Sequence, residues 1–327
     1  MRSIFHRLWW LPILALICWT GTTAAQDSLQ DDSPSLTPIR VAIDLWPGYY
    51  PVVIGEQEGF FAQRGLKVHV SVPENTDQML QNFAAGEVDV VCVALGDVFA
   101  FREKVPSMRV VLVSDESSGG DALVSLKPLP KKLKGLRIGT NLNGFGELFV
   151  RAFLAQNNTR LQDVELVNQE ASDAAVLLKQ GKVDIAHTWE PYVSELTAYQ
   201  DAIVVFSSAE TPGLIPDAVV MHGDLLAKPL VAKAFVSGWL EAAEWWLGHR
   251  HDGNRVVERA LVMMPNTVNL EGIRLFDTTA NRRAFRRNDS TQSVYRAVQT
   301  YIDYFSEKGV LKAPVAPGDI LLPDLLP

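Results

Sequence analysis

Aromatic rings, a glycine and two prolines are crowded into six residues near the start of the chain. The segment Trp46-Pro47-Gly48-Tyr49-Tyr50-Pro51 lies between an apolar strand, predicted over 39–43, and an apolar helix that starts at Pro51. A helix start leaves backbone N–H groups without partners, and proline is favoured at the first helical position. Rings beside such amides can hold a small polar molecule without a catalytic group. We therefore predict these ligand contacts: Trp46, Gly48, Tyr49 and Tyr50.

Three later turns carry similar chemistry. Trp189-Glu190-Pro191-Tyr192 again joins aromatic rings to proline, and its carboxylate can pair with an amine or amidine. Gly96-Asp97 follows a buried strand, and residues 141–144 open a predicted helix with amide side chains and free backbone N–H groups. At these turns we predict the following contacts: Gly96, Asp97, Asn141, Asn143, Gly144, Trp189, Glu190 and Tyr192. A structural alternative stays open, since Asp97 and Glu190 equally suit the first turn of a helix.

Acidic residues dominate the candidate turns, which carry almost no Lys or Arg. The acids are Asp44, Asp97, Asp115, Glu116, Glu190 and Asp217. They favour a neutral, zwitterionic or cationic organic ligand with an aromatic or amine part, because a cation over an aromatic face gains about 0.5–2 kcal/mol. An inorganic anion such as nitrate would require these carboxylates to point away.

Two further charged segments are predicted to face solvent. Residues 115–118 follow a strand and are expected to form a solvated loop, with ligand contact as the alternative. The one basic cluster is expected to be a solvated helix face, with docking to a membrane partner or contact with an anionic ligand as the alternatives. Its members are Arg282, Arg283, Arg286 and Arg287.

Short apolar strands alternate with amphipathic helices over residues 39–206, which predicts an α/β fold of two lobes with a mainly parallel sheet in each. Stretches rich in Pro, Gly and Lys interrupt this order near 128–134 and 211–216. We predict a first lobe from 39–125 and 217–327, a second lobe from 126–216, and two crossings between them, of which the return crossing is residues 217–221. Residues 82–90 and 177–185 share a helix end, a glycine, one charged residue and a Val-Asp strand, which indicates that one unit is used twice.

The first 25 residues have the pattern of an export signal. Arg2, His6 and Arg7 precede an apolar run over 8–19 that is short for a membrane span, and residues 23–25 are small. We predict a signal peptide over 1–25 that is cleaved, a flexible leader over 26–38, and a periplasmic location. An uncleaved anchor is the alternative.

Removal of residues 1–25 would leave Cys92 as the single cysteine, since the sequence has two and the other is Cys18. An internal disulfide is then impossible, and the apolar run around Cys92 is typical of a buried thiol. The remaining 38 acidic and 28 basic residues have a formal charge of −10, which argues against nucleic acid as a partner. We predict a monomer that needs no cofactor.

Seven short segments occur in a characteristic order: 46–49 (WPGY), 59–61 (GFF), 65–68 (GLKV), 85–89 (AGEVD), 136–139 (LRIG), 181–185 (GKVDI) and 189–192 (WEPY). In this order they resemble the periplasmic solute-binding proteins of the nitrate/sulfonate/taurine and thiamine-precursor uptake group. The resemblance implies a two-lobed periplasmic binding protein fold of type II that closes on its ligand like a hinged clamp. It also implies delivery of the ligand to the permease of an ABC importer.

We therefore predict the substrate-binding component of an ABC transporter. Its solute is expected to be a small organic molecule with nitrogen or sulfur, either sulfonate- or taurine-like or pyrimidine- or amine-like. Import and sensing remain open, because an exported subunit that reports ligand to a membrane kinase or cyclase would need the same features.

The motifs of the sequence do not indicate catalysis. A hydrolase elbow, a Walker loop, a dinucleotide fingerprint and a zinc-spaced Cys/His set are missing. His69 and His187 stand alone in predicted strands, where structural histidines are usual. The thiamine-pyrimidine synthases are related enzymes on this fold, but this chain lacks their cysteine-rich motif. We predict that the protein is not an enzyme.

Overall fold

The computed structural model describes residues 35–142 and 144–327. The predicted signal peptide, most of the predicted leader and Asn143 lie outside the described residues. The leader ends earlier than predicted, because the first strand begins at Thr37 and pairs along its whole length with residues 66–71. In the described part of the chain, no helix is long and apolar enough to cross a membrane.

Strands and helices alternate as the apolar pattern predicts. The strands are β1 (Thr37–Ala42), β2 (Leu66–Ser71), β3 (Val90–Ala94), β4 (Arg109–Ser117), β5 (Asp121–Ser125), β6 (Arg137–Thr140), β7 (Glu165–Asn168), β8 (Ile185–Trp189), β9 (Ile203–Ser207), β10 (Pro216–Met221) and β11 (Ile273–Leu275). The helices are α1 (Pro51–Gln57), α2 (Thr76–Ala84), α3 (Leu95–Phe101), α4 (Phe145–Gln156), α5 (Ala174–Lys179), α6 (Tyr192–Gln200), α7 (Gly223–Leu226), α8 (Pro229–Gly248), α9 (Arg250–Ala260), α10 (Thr278–Ala284) and α11 (Val294–Glu307). Helix α1 starts at Pro51 as predicted, and it ends at Gln57, just before Gly59 adopts a φ of 80°.

The strands form two sheets with matching topology. The first has the order β11-β4-β10-β3-β1-β2, and the second has the order β7-β6-β8-β5-β9. β1 runs parallel to β2 and β3, and β6 runs parallel to β7 and β8. Apart from the edge strand β11, one strand is reversed at the corresponding place of each sheet, β10 in the first and β5 in the second. The predicted fold class is confirmed.

The chain passes from the first sheet to the second through residues 118–120 and returns through 208–215. The sequence predicts residues 121–125 in the first lobe, but this strand pairs with β8 and β9 of the second sheet. The residues predicted as the return crossing form the buried strand β10 between β3 and β4. Both differences have one cause: an apolar run predicts a strand without saying which sheet the strand joins.

Equivalent ion pairs support the prediction that one unit is used twice. Arg40 of β1 lies 2.7 Å from Asp89, and Arg137 of β6 lies 2.9 Å from Asp184. Each arginine also donates to the carbonyl oxygen of a glycine that follows a helix: Arg40 to Gly86 after α2, and Arg137 to Gly181 after α5. β1 therefore corresponds to β6, and β3 corresponds to β8. The turn after β1 thus corresponds to the turn after β6, and not to the turn at Trp189.

Aromatic packing fixes the base of the first lobe. Trp239 and Trp246 of α8 are fully buried, and Tyr50 packs against Trp246 with ring centroids 6.4 Å apart. Phe61 stacks on Phe235 at 5.1 Å. These contacts hold α1 against α8, so the turn at the start of α1 is attached to a rigid base.

Candidate functional site

A partly open cavity lies between the two sheets, with an empty volume of about 460 Å³ that includes the part open to solvent. It adjoins the carboxyl ends of the parallel strands, where ligands bind in open α/β sheets. The lining residues are Asp44, Trp46, Tyr49, Thr76, Val93, Ala94, Asp97, Asp121, Asn141, Phe145, Trp189, Ile215 and Asp217. Five predicted contacts are therefore brought together: Trp46, Tyr49, Asp97, Asn141 and Trp189.

Buried carboxylates hold the two aromatic residues of the first turn. The Trp46 indole Nε1 donates to Asp115 Oδ1 at 2.9 Å, and the Tyr49 hydroxyl donates to Asp217. Trp46 is 4% exposed and Tyr49 is 2% exposed. Both residues are thus rigid parts of the cavity wall, because each ring is packed and its polar group is paired.

Three predicted contacts have structural roles and do not line the cavity. A Cβ at Gly48 would lie 1.8 Å from Asp115 Oδ2, so this glycine lets the turn approach a buried carboxylate. Tyr50 is 1% exposed and donates to the Leu45 carbonyl oxygen at 3.0 Å. A Cβ at Gly96 would lie 2.7 Å from Phe145 Cβ, so this glycine lets α3 of the first lobe approach α4 of the second.

The turn before α4 meets the first turn of α3 across the cavity. Gly144 is the N-cap of α4, and a Cβ there would lie 3.0 Å from Asp97 Oδ1 and 3.3 Å from Asn141 Oδ1. Asp97 lines the cavity and lies in the first turn of α3, but the N-cap of this helix is Ala94, so Asp97 is not its cap. Its carboxylate faces the start of α4, where unpaired amides favour an acceptor.

The turn after β8 divides its residues between different roles. Trp189 lines the cavity and packs against Phe145 with ring centroids 5.8 Å apart. Tyr192 lies in an adjoining groove that shares Asp44 and Trp189 with the cavity. Glu190 lies just before α6, whose N-cap is Pro191, and its carboxylate accepts from the Ser194 backbone N–H at 3.2 Å and hydroxyl at 3.0 Å. Glu190 is therefore bonded to the first turn of α6 without belonging to it.

Two acids predicted in a solvated loop are buried instead. β4 continues to Ser117, and Asp115 is 0% exposed while Glu116 is 6% exposed. Asp115 lies opposite Asp217 on the neighbouring strand β10. Burial raises the pKa of both carboxyl groups, and the charge of Asp115 raises that of Asp217 further. Glu116 forms an ion pair with Arg274.

Two further cavity acids titrate near neutral pH. Burial raises the pKa of Asp44 to about 7, against the effect of a 3.0 Å hydrogen bond from the Trp46 backbone N–H. Burial and then the charge of Asp44 raise the pKa of Asp97 to about 8. Among the described residues that line the cavity there is no Lys or Arg. The cavity is therefore acidic and aromatic, as predicted for a cationic or amine-bearing ligand.

These raised pKa values predict how the stability of the ligand-free protein varies with pH. Between about pH 4 and pH 8 the folded state retains protons on Asp44 and Asp97 that the unfolded chain has released. The state that binds more protons loses stability as pH rises, so the unfolding temperature should fall from pH 5 to pH 8. The Asp44→Asn/Asp97→Asn double variant, measured by differential scanning calorimetry, should show a smaller fall. Parallel curves for the two proteins would contradict this assignment.

Several lining residues are not found by the sequence reasoning: Thr76, Val93, Ala94, Asp121, Phe145 and Ile215. Asp121 had a usable signal, because it follows Gly119-Gly120 directly at a junction between two strands. The apolar residues have no comparable signal, since their type is the same in a core and in a cavity wall.

The basic cluster lies away from the cavity. Its members Arg282, Arg283, Arg286 and Arg287 are exposed, and none of them lines the cavity. Arg282 donates to the Pro327 carbonyl oxygen at 2.8 Å, and the Arg287 guanidinium lies 4.9 Å from the centre of the Tyr295 ring. In the described ranges, His, Cys, Asp and Glu side chains do not form a group able to hold a metal ion.

Solved structures define the class to which this fold belongs. The periplasmic aliphatic sulphonate binding protein SsuA from Escherichia coli has a TM-score of 0.71 at 15% identity, covering 89% of this chain and 92% of its own. The periplasmic nitrate-binding protein NrtA from Synechocystis has a TM-score of 0.66 at 14% identity, covering 89% and 88%. The desulfurization enzyme DSZB has a TM-score of 0.64 at 16% identity, covering 88% and 97%. The fold is that of the two-lobed type II periplasmic binding proteins.

The chain belongs to the NMT1/THI5-like family, which matches residues 46–252. A Brucella abortus protein provisionally named a binding protein is 21% identical over 296 residues, or 88% of this chain and 91% of that protein. A Haemophilus influenzae protein provisionally named for thiamine biosynthesis is 29% identical over 159 residues, or 46% and 50%. These matches confirm the resemblance on which the sequence prediction rests.

Proposed function

We propose that this protein is the periplasmic substrate-binding component of an ABC importer, acting as a monomer that delivers a small organic solute to a membrane permease. The observation that carries the proposal is the cavity between the two sheets, whose acidic and aromatic walls come from both lobes. Its family, its fold and the names of its relatives support the same role.

The charges of the cavity favour an amine, amidine or aminopyrimidine over a plain sulfonate or nitrate. The described lining residues include four aspartates and no Lys or Arg. Arg274, which lies on the neighbouring strand β11, is paired with Glu116. A sulfonate could bind only while these carboxyl groups hold their protons, whereas a cationic group gains from both the ionised carboxylates and the aromatic faces.

Binding is coupled to closure because the contacts come from both lobes. Trp46, Tyr49 and Asp97 belong to the first lobe, while Asn141 and Trp189 belong to the second. A ligand held by both groups binds the closed form more tightly than the open form, and so it shifts the population towards closure. We propose that the lobes pivot at 118–120 and 208–215, where the chain crosses between the sheets.

The environment of the described cysteine supports a binding role over catalysis by a thiol. Cys92 is 0% exposed in β3, and burial raises its pKa well above the ordinary value. A reactive cysteine needs access and a lowered pKa. The described cavity lining contains no cysteine, so it offers no reactive thiol for a reaction of the kind that the name of the desulfurization enzyme DSZB describes.

Thermal unfolding of the protein from Gln26 onward tests the proposal. The panel contains benzamidine, aminopyrimidines, polyamines, taurine, alkanesulfonates and nitrate, each with a matched salt control. A compound present at a hundred times its Kd should stabilise the folded state by about 2.7 kcal/mol and raise the unfolding temperature. Stabilisation by amines, amidines or pyrimidines is expected. Stabilisation by sulfonates or nitrate alone would contradict the proposed ligand class, and no stabilisation by any compound would contradict the proposed function.

A further inference from the structure

Beneath the cavity, a buried histidine is bonded to one of the cavity aspartates. His187 Nε2 lies 3.2 Å from Asp121 Oδ1, and His187 Nδ1 lies 3.2 Å from Thr140 Oγ1. Asp121 and His187 are each 2% exposed, and Thr140 is fully buried. The proposed function does not use this chain of side chains, although Asp121 lines the cavity.

Surrounding groups fix the position of the imidazole. Its ring is packed against Phe145, Phe149 and Trp189 at centroid distances of 5.5, 5.2 and 5.9 Å. Helix α4 passes so close that a Cβ at Gly146 would lie 2.7 Å from His187 Nδ1 and 2.4 Å from Thr140 Oγ1. The ring therefore has one available orientation.

The partners of the ring determine the direction of its hydrogen bonds. A carboxylate accepts, so Nε2–H donates to Asp121, and in the neutral ring the Thr140 hydroxyl then donates to Nδ1. In this arrangement the hydrogen bond from His187 fixes the orientation of the Asp121 carboxylate. Hydrogen-bond partners orient metal-ligating side chains in the same way. The Asp121 backbone N–H donates to Ser117 Oγ at 2.9 Å, which anchors the residue at the crossing between the sheets.

Asp121 is also the one cavity carboxylate, among the described lining residues, that belongs to the second sheet. The other three, Asp44, Asp97 and Asp217, belong to the first lobe. The negative charge of Asp121 raises the pKa of five groups around it, which shows that they are close enough to interact with its carboxylate. These groups are Asp44, Asp97, Asp115, Asp217 and Tyr301. Closing the lobes on an empty cavity thus costs free energy, either as repulsion between carboxylates or as proton uptake, and a cation between the carboxylates removes this cost.

We propose that Asp121, oriented by His187, recognises the positive charge of the ligand from the second lobe and makes closure depend on that charge. This inference rests on the proposed function and adds to it a specificity-determining residue and a positioning residue. The ligand class that follows is a compact organic cation with a planar or aromatic body, since Trp46 and Trp189 line the same cavity.

Benzamidinium and benzamide form the test pair, because they have nearly the same shape and differ in charge. Binding is measured by isothermal titration calorimetry, and closure is measured as the fall in radius of gyration by small-angle X-ray scattering. Wild-type protein should bind benzamidinium at least about tenfold more tightly than benzamide and should close with benzamidinium. Asp121→Asn should reduce this preference to about onefold to threefold and abolish the closure.

Two variants of His187 separate positioning from packing. His187→Gln keeps an amide N–H near the position of Nε2 and should retain the preference within about threefold, whereas His187→Leu removes the donor and should lower it about tenfold. Far-ultraviolet circular dichroism of the ligand-free variants checks that each is folded. If the leucine variant does not fold, the glutamine variant and Asp121→Asn still decide the outcome.

Several results would overturn the inference. Equal binding of benzamidinium and benzamide by wild-type protein would refute charge recognition, and an unchanged preference in Asp121→Asn would refute the role of Asp121. A glutamine variant that loses the preference would refute orientation by the donor. Wild-type protein that binds taurine or nitrate but not benzamidinium would refute this inference and leave an importer component standing, whereas failure of the whole panel would refute the proposed function itself.

Discussion

Trp189→Ala is expected to weaken binding of the compound that stabilises the protein most by roughly 10- to 100-fold. Trp189 lines the cavity from the second lobe and packs on Phe145 at 5.8 Å, so its ring is a preorganised face for a planar or cationic ligand. It is only half-buried, so the fold should tolerate the truncation. Isothermal titration calorimetry of the purified variant measures the loss.

Trp245→Ala is the matched control for this experiment. Trp245 is also a half-buried tryptophan, but it lies on α8, stacks on His249 at 5.1 Å and does not line the cavity. Its removal should leave the Kd unchanged within about twofold. Equal losses in the two variants would show that the effect is general, and an unchanged Kd in Trp189→Ala would mean that the ligand binds elsewhere.

Trp46→Ala is a less informative test of ligand binding than Trp189→Ala, although Trp46 is also a predicted ligand contact. The ring is 4% exposed, donates to Asp115, and rests so close to the crossing that a Cβ at Gly120 would lie 2.8 Å from its Cη2. Truncation of a tryptophan in such packing costs about 3–5 kcal/mol of stability. A loss of binding in this variant would therefore combine a lost contact with a disturbed turn, which is why Trp189 is the better test.

Gly48→Ala is expected to destabilise the folded protein by about 2–4 kcal/mol and to abolish ligand binding. The new methyl group would lie 1.8 Å from Asp115 Oδ2, a group with no free space around it because Asp115 is 0% exposed. Asp115 would have to move, which breaks its hydrogen bonds from the Trp46 indole and the Ser114 hydroxyl. Urea unfolding measures the change in stability.

Gly248→Ala is the control for the effect of losing a glycine. Gly248 is the last residue of α8, and a Cβ there would meet nothing within 4 Å. This change should be neutral or should stabilise the protein by up to about 1 kcal/mol, because alanine is the better helix former. A Gly48→Ala protein as stable as Gly248→Ala would show that the turn can move away from Asp115.

Much of the molecule can be predicted from local sequence. The alternation of strands and helices over residues 39–206 is recovered, because apolar periodicity and glycine stops act over a few neighbouring positions. The site is recovered in part: Trp46, Tyr49, Asp97, Asn141 and Trp189 all line the cavity. They follow strand ends, and the carboxyl ends of parallel strands meet on one edge of a sheet.

The errors have a shared physical cause. Tyr50 and Tyr49 are adjacent and chemically alike, yet one packs on Trp246 and the other bonds to Asp217 at the cavity. Asp115 and Glu116 have the composition of a solvated loop but continue a strand, since β10 buries Asp115 and Arg274 pairs with Glu116. The local pattern of residue types does not indicate which distant residues will become partners.

The sequence by itself determined the α/β class, the repeated unit, the family and the aromatic, acidic character of the candidate turns, because each depends on residue type and short-range order. Only the tertiary structure decided that β5 joins the second sheet and brings Asp121 against His187. It also decided which carboxylates reach the cavity and which pKa values rise towards neutrality. These properties depend on burial and on charges brought together across two crossings of the chain, and such proximity is created only by folding.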